Sequence, residues 1–215
     1  MTTATRPEAS VLTITAPNLV TAGLRIVGVA PYMQAKFSEK SRQAMMAKQA
    51  AGSVAKKGAK REGRDFDADF VAAQHRAAEG WAGIPAAALR NACIDACRMV
   101  GFQMTRAKMS IFIQPDGFDV TDGTPLVRLV AAEPERTEMA TRNATGVVDI
   151  RIRPMWRVWS ALVRLTFDAD QFTLQDVTNL LARAGLQVGI GEGRPFSKSS
   201  AGLGFGLFTV EGSEA

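Results

Sequence analysis

Alternation of apolar and polar residues predicts several extended strands. The clearest are residues 147–153 and 160–168, where apolar side chains alternate with polar and charged ones. A period of two residues is typical of a strand with one buried and one exposed face. If both strands join one sheet, Arg151, Arg153 and Arg164 lie on its open face. Shorter extended runs are predicted at residues 11–16, 24–29, 109–114, 126–131 and 207–211.

An amphipathic helix is predicted for residues 86–100. Its apolar positions recur at the spacing of one helical face. Pro85 precedes the segment and Gly101 follows it, and these residue types are typical helix start and stop signals. The apolar stripe consists of Leu89, Ala92, Cys93, Ala96, Cys97 and Val100.

A second helix is predicted for residues 174–184. Thr173 and Asp176 have the spacing of a capping box, and Gly185 follows the last apolar position. The helix is expected to bury Leu174, Val177, Leu180, Leu181 and Ala184.

The order of these elements predicts one α+β domain spanning residues 1–215. It is typical of a ferredoxin-like (RRM-like) fold, an antiparallel sheet with its helices on one face. The chain has 215 residues, of which 47% are hydrophobic and 22% charged, enough to bury a core without disulfides or metals. It lacks an apolar run near the roughly 18 residues that span a bilayer. Without a signal-peptide pattern as well, we expect a cytoplasmic protein with no membrane partner.

A basic segment interrupts this order at residues 33–78, which we call the insertion. Helices are predicted within it at residues 40–51 and 66–78. Residues 34–64 hold nine lysine and arginine side chains against two glutamates, a net charge of +7 in a chain whose total is +5. A concentrated basic segment on a near-neutral body is typical of proteins that bind polyphosphates. The alternative interpretation is a solvated, lysine-rich loop.

Residues 189–206 form a glycine-rich loop that follows a predicted helix and precedes a predicted strand. A dinucleotide-binding fingerprint has the opposite context, and the loop lacks the end of a Walker A motif. Glycine lets a backbone approach a ligand closely, and Arg194 and Lys198 add positive charge. We therefore expect the loop to contact nucleic acid, unless its glycines serve only its own turns.

Trp156 and Trp159 lie close to Arg153 and Arg157. Aromatic faces stack on nucleobases and arginine pairs with phosphate, so Trp156 is a candidate for stacking. The alternative is that both rings cap the edge of the core, which we favour for Trp159.

The candidate chemical groups are sparse. Cys93 and Cys97 share the apolar stripe and are expected to pack, and the single histidine, His75, is expected to lie at the surface or in packing. Three aspartates alternate within the insertion and are candidate catalytic residues or Mg²⁺ ligands, although simple solubility also explains them. We expect no metal and no other cofactor. The three aspartates are Asp65, Asp67 and Asp69.

Together these features resemble the RAMP superfamily, and in particular the guide-RNA-binding backbone subunits of CRISPR effector complexes. Residues 83–90 are similar to the family's Ile-Pro-Gly-Ser-Ser-Leu approach to its first helix, although alanines replace the small polar residues. The insertion lies where that family carries a thumb, and the glycine-rich loop precedes the last strand, as in RAMP folds. A stand-alone relative encoded by a phage is one form of this resemblance.

The resemblance implies subunits that polymerise along a single strand, each thumb reaching over its neighbour. We therefore expect a non-catalytic protein that binds single-stranded nucleic acid, RNA in preference to DNA, and assembles head-to-tail with copies of itself. Two alternatives stay open: a metal-dependent ribonuclease using an aspartate of the insertion, and a phage structural protein that mimics a CRISPR backbone subunit. The expected nucleic-acid contacts are Lys48, Lys56, Lys57, Lys60, Arg61, Arg64, Arg90, Arg151, Arg153, Trp156, Arg194 and Lys198.

Overall fold

The computed structural model describes residues 14–37, 39–50, 65–142, 148–196 and 202–211. The strands in these ranges are β1 (Leu19–Gly28), β2 (Tyr32–Met33), β3 (Gly83–Pro85), β4 (Ile111–Gln114), β5 (Gly117–Phe118), β6 (Pro125–Ala131), β7 (Glu135–Arg142), β8 (Val148–Trp156), β9 (Trp159–Asp168) and β10 (Phe208–Val210).

In the described ranges, five helices lie between these strands, two of them within the insertion. They are α1 (Glu39–Ala50), α2 (Phe66–Ala72), α3 (Ala86–Ala96), α4 (Met104–Ser110) and α5 (Leu174–Arg183). A 3₁₀ turn, Cys97–Val100, extends α3, and a π-helical turn, Ala184–Val188, extends α5. None of the described helices has the length and apolarity that crossing a membrane requires.

The larger sheet has the strand order β10-β1-β9-β6-β3, and all its pairs are antiparallel. β4 pairs with β9 beside β6, and β5 pairs with β6. Val163 and Leu165 on β9 belong to one buried core together with Leu89 of α3 and Leu181 of α5. Leu162, on the opposite face of β9, is 49% exposed, so the helices cover one face of this sheet.

The smaller sheet has the order β2-β8-β7. Arg151 and Arg153 lie on β8 in this sheet, whereas Arg164 lies on β9 in the larger one. The prediction that the three arginines share one sheet face is therefore wrong. β8 and β9 follow each other in the chain but pair with different strands, because strand pairing depends on distant segments. Alternation of apolar and polar residues indicates which side chains share a face of a strand, not which sheet the strand joins.

Local signals correctly predicted the position of both main helices, but Gly185 does not end the second, since a π-helical turn continues through it to Val188. α3 begins after Pro85, and Gly101 follows the 3₁₀ turn with a left-handed φ of 69°. At the start of α5, the backbone N–H of Asp176 donates to Thr173 Oγ1 at 3.1 Å, and that of Thr173 donates to Asp176 Oδ2 at 2.9 Å. The capping box is thus present, although Leu174, expected to be buried, is 53% exposed.

The N-terminal strands differ from the prediction. The strand expected at residues 24–29 is part of a longer strand, β1, that begins at Leu19. Of the strand expected at residues 11–16, residues 14–16 lie in no sheet, and the others lie outside the described residues. β1 pairs with β9 over nine consecutive positions, so its length follows from that partner. The strand predicted at residues 109–114 begins only at Ile111, because α4 continues through Ser110.

The insertion leaves the body and returns to it through two adjacent segments, residues 34–36 and 73–77, which we call the neck. The N–H of Lys36 donates to the carbonyl of Ala73 at 3.1 Å, and the N–H of His75 donates to Gln34 Oε1 at 2.9 Å. α1 and α2 belong to the insertion, and α2 contacts β8. Both ends of the insertion are therefore fixed at one place on the body.

Candidate functional site

A groove of about 790 Å³ lies between the neck, α3 and the start of the glycine-rich loop. This volume is within the usual range for small-ligand sites. The polar side chains in its walls come from four parts of the chain. They are Gln34 and His75 of the neck, Asn91 and Asp95 of α3, Arg151 of β8, and Glu192 and Arg194 of the loop.

Asp119 joins the neck to the body. Its side chain is fully buried, and its Oδ1 accepts from Lys36 Nζ at 2.5 Å and from the N–H of Thr121 at 2.8 Å. Its Oδ2 lies 2.9 Å from Nδ1 of His75. Lys36 and His75 belong to the two different segments of the neck. Asp119 contacts both, so one carboxylate connects the two ends of the insertion to the body.

Burial and hydrogen bonds determine the protonation states of Asp119 and His75. Burial alone would raise the pKa of Asp119, but hydrogen bonds from Lys36, Thr121 and His75 outweigh it and hold that pKa below its usual value. Burial lowers the pKa of His75 and outweighs the opposing effect of Asp119. At neutral pH, Asp119 is therefore ionised and His75 is uncharged.

His75, Asp119 and Asp122 each place one potential ligand atom within 4.8 Å of the others. Such a group could hold a cation. The ammonium group of Lys36 lies 2.5 Å from Asp119 and 3.9 Å from Asp122, however, and side chains of both Lys36 and Asp119 are buried. Lys36 therefore supplies the positive charge that these carboxylates need.

Several glycines of the loop serve its own packing. A Cβ on Gly206 would lie 1.8 Å from the carbonyl oxygen of Ile190, and one on Gly191 would lie 2.4 Å from that of Met33. Both residues also have left-handed φ angles, 67° and 79°. Gly202 and Gly204 share this conformation, but within the described ranges no neighbouring atom lies within 4 Å of a Cβ at either position. The packing of the fold itself therefore requires glycine at positions 191 and 206, and close approach of a ligand is not needed to explain either residue.

The arginines near the groove are partly neutralised by one carboxylate. Glu192 accepts a hydrogen bond from Arg153 and lies 3.9 Å from Arg151. The side chain of Arg153 is only 16% exposed, that of Arg151 34%. Arg194 lines the groove and donates to the carbonyl of Gly191 at 2.9 Å. Arg151 and Arg194 are thus better placed than Arg153 to meet a phosphate.

Trp156 lies in the core with 3% exposure, its ring stacked on Tyr32 at a centroid distance of 5.7 Å. Trp159 is also buried, and its Nε1–H donates to the carbonyl of Ala30 at 2.8 Å. This placement favours packing for both rings, as expected for Trp159. A nucleobase has no access to Trp156 in this conformation.

Arg90 joins α3 to the next helix and strand. Its Nε–H donates to the carbonyl of Ile111 at 2.8 Å, a second nitrogen donates to that of Lys108, and the guanidinium group lies over the ring of Phe112. These contacts give Arg90 a structural role, whatever else it binds.

The three aspartates of the insertion do not converge. Asp65 caps α2, accepting from the N–H groups of Asp67 and Ala68 at 3.0 Å each, and Asp67 pairs with Arg136. Asp67 and Asp69 lie two positions apart on a helix, so their side chains point in different directions. In the part of the chain that the structure describes, they belong to no group that could hold a cation.

Other predicted contacts cannot be placed. Lys48 belongs to α1, but its side chain is not among those described. The remaining residues, Lys56, Lys57, Lys60, Arg61, Arg64 and Lys198, lie outside the described residues.

The shared contact of Lys36 and His75 with Asp119 is not evident from the sequence. These residues are separated by 39 and 44 positions, and no motif connects them. A single histidine and a buried lysine give no signal until the fold brings them to one carboxylate.

No protein-family model matches the chain, and no curated protein is significantly similar to it. A function must therefore be argued from the groove, the neck and the distribution of charge.

Proposed function

We propose that the protein binds single-stranded nucleic acid, RNA in preference to DNA, without cleaving it. One observation carries the proposal: the basic insertion leaves the body at the rim of the groove. Gln34, Ala35 and His75 line the groove, and all three belong to the neck that connects the insertion to the body. A strand in the groove would therefore lie beside the neck, from which the most basic segment of the chain continues.

The charge of the insertion supports a phosphate-rich partner. Lys36 is buried against Asp119, but residues 37–64 still hold eight lysine and arginine side chains against two glutamates, a net charge of +6. Cations at this density along a chain neutralise backbone phosphates without reading sequence.

The groove itself is suited to a nucleotide more than to a bare anion. Arg151 and Arg194 offer guanidinium groups, while Asp95 and Glu192 limit the positive charge. Ala88 and the exposed Leu203 add apolar surface, which is typical of sites that bind small organic groups. We therefore expect the insertion to provide most of the electrostatic attraction for the nucleic-acid strand. The groove would recognise the shape of a nucleotide.

We also propose that the fold is ferredoxin-like and that the protein is a RAMP relative. Support comes from the strand order: β10, β1, β9 and then β4 or β6, with α3 following β1 and α5 following β9. This order matches the βαββαβ arrangement. The glycine-rich loop before β10 agrees with the same interpretation.

Head-to-tail assembly along the strand is part of the proposal. Among the described residues, β7 pairs only with β8, so the smaller sheet offers an edge strand to a second copy. Mass measurements on strands of increasing length would then show a stepwise rise in bound copies. A single copy on every length would contradict assembly without contradicting binding.

We propose a reducing, cytoplasmic setting for this activity, since Cys93 and Cys97 are buried free thiols.

Purified protein tests the proposal directly. We expect an absorbance ratio at 260 and 280 nm that indicates bound nucleic acid, and a ratio that falls after ribonuclease treatment. Stripped protein should then bind labelled single-stranded RNA at low salt, and the RNA should stay intact during incubation with Mg²⁺. Absence of affinity for single-stranded RNA and DNA at low salt would contradict the proposal, and cleavage of the RNA would contradict its non-catalytic part.

A further inference from the structure

Resting on the proposed function, we propose that His75 Nε2 accepts a hydrogen bond from a ribose 2′-hydroxyl in the groove. This contact would be the source of a preference for RNA over DNA. It assigns a ligand-binding role to a residue that the sequence interpretation placed at the surface or in packing.

The imidazole ring is held in one orientation. Its Nδ1 lies 2.9 Å from Asp119 Oδ2, and the backbone N–H of His75 donates to the buried side chain of Gln34 at 2.9 Å. Gln34 is itself fixed, because its Nε2 donates to the carbonyl of Gly83 at 2.6 Å. The ring therefore meets a ligand without first losing rotational freedom.

Asp119 determines which ring nitrogen carries the proton. Lys36 and the N–H of Thr121 both donate to Oδ1 of Asp119, which keeps the group a carboxylate, an acceptor only. The proton shared between Asp119 and the neutral ring therefore belongs to Nδ1. Nε2 is left with a lone pair and no hydrogen.

Nε2 lies across the imidazole ring from Nδ1, the atom that contacts Asp119. His75 lines the groove, and within the described residues no hydrogen bond to Nε2 is present. No side-chain nitrogen or oxygen in that part of the chain is both buried and unpaired, so this nitrogen is reached by solvent. Nε2 of His75 is therefore a fixed hydrogen-bond acceptor that a donor from a ligand can reach.

The chemistry of nucleic acid identifies that donor. Phosphate oxygens are acceptors and give Nε2 nothing to bind. The N–H groups of bases differ from one base to another, whereas every ribose carries a 2′-hydroxyl and no deoxyribose does. An acceptor in a groove that binds without reading sequence thus favours RNA.

The test compares three single strands of one sequence, each of about 20 nucleotides so that it exceeds a single site. They are RNA, DNA and 2′-O-methyl RNA, titrated by fluorescence anisotropy at low salt and neutral pH. We expect RNA to bind about three- to tenfold more tightly than the other two, the effect of one hydrogen bond.

The His75→Asn variant separates recognition from folding. The amide nitrogen of asparagine can replace Nδ1 as donor to Asp119, but the variant has no counterpart of Nε2. We expect it to bind DNA as the parent does and to lose the preference for RNA. As a matched control, Arg194→Ala should weaken RNA and DNA binding in parallel.

The outcomes distinguish the two proposals. Equal binding of RNA and DNA by the parent protein, or an RNA preference that persists in His75→Asn, would overturn the role of His75 and leave nucleic-acid binding intact. Tight binding of 2′-O-methyl RNA would overturn it as well. Failure to bind any of the three strands would overturn both proposals.

Discussion

Asp119 is a fully buried carboxylate whose charge is balanced within the chain. Lys36, itself only 6% exposed, lies 2.5 Å away, and His75 and the N–H of Thr121 complete the set of donors. Charges taken out of water in this way are costly unless every partner is present. The cluster therefore makes the neck sensitive to loss of any one member.

Asp119→Asn should lower the free energy of unfolding by about 3–5 kcal/mol, because it removes the buried counter-charge closest to the Lys36 ammonium group. Urea denaturation measures this. Asp122→Asn is the matched control: Asp122 is 24% exposed and 3.9 Å from Lys36, and its loss should cost less than about 1 kcal/mol. Equal effects of the two substitutions would contradict the described charge balance.

His75 predicts a second, pH-dependent effect. Its pKa is lowered in the folded state because of burial, whereas in the unfolded chain it titrates near 6.5. Below that value the unfolded state binds a proton that the folded state resists, so stability should fall as pH drops from about 7 to 5.

The chain contains one histidine, so the assignment is direct. Urea midpoints of the parent protein should decrease over this range of pH, and those of His75→Asn should change much less. A parent protein with constant stability across the range would show that burial does not depress the pKa of His75.

At the scale of elements, the glycine-rich loop allows a matched comparison. Gly202 and Gly206 have nearly the same left-handed φ, 65° and 67°. A Cβ would lie more than 4 Å from every described neighbour at Gly202, but would meet the backbone of Ile190 at Gly206. The two positions therefore separate conformational strain from steric exclusion.

Gly202→Ala should cost about 1–2 kcal/mol, the strain of a left-handed alanine. Gly206→Ala should cost more than about 3 kcal/mol, because the overlap with Ile190 displaces backbone. Thermal or urea unfolding of the two variants measures the difference. Similar losses at both positions would show that the loop and Ile190 are not in the close contact described.

The elements differ in how far the sequence could predict them. α3 and α5 depend on local signals, such as Gly101 after α3 and Thr173 before α5, and these were interpreted correctly. Placing Arg151 and Arg164 in one sheet was wrong, since strand pairing depends on distant segments. The cluster around Asp119 could not be predicted, because no local pattern records which distant residues share a carboxylate.

At the scale of the whole molecule, the basic segment of the sequence begins and ends at the neck, which lines the groove. Residues 37–64 carry +6, more than the total of +5 for the chain, so the rest of the protein is close to neutral. The neck connects this charge to the rim of the groove. A polyanion should therefore bind along one side of the protein, with an affinity that depends strongly on salt.

The salt dependence of binding, measured with single-stranded RNA, tests this account most directly. Each neutralised phosphate adds about −0.7 to the slope of log K against log salt concentration. Replacing four cations of the insertion by glutamine should therefore make the slope less steep by nearly 3. The four positions are Lys56, Lys57, Lys60 and Arg61.

A control variant replaces four arginines of the body by glutamine and leaves the insertion unchanged. They are Arg25, Arg106, Arg157 and Arg183. The account predicts a steep slope for the parent protein and the control, and a shallow one for the insertion variant. A slope that is unchanged in the insertion variant, or that falls equally in the control, would contradict the claim that the insertion holds the strand.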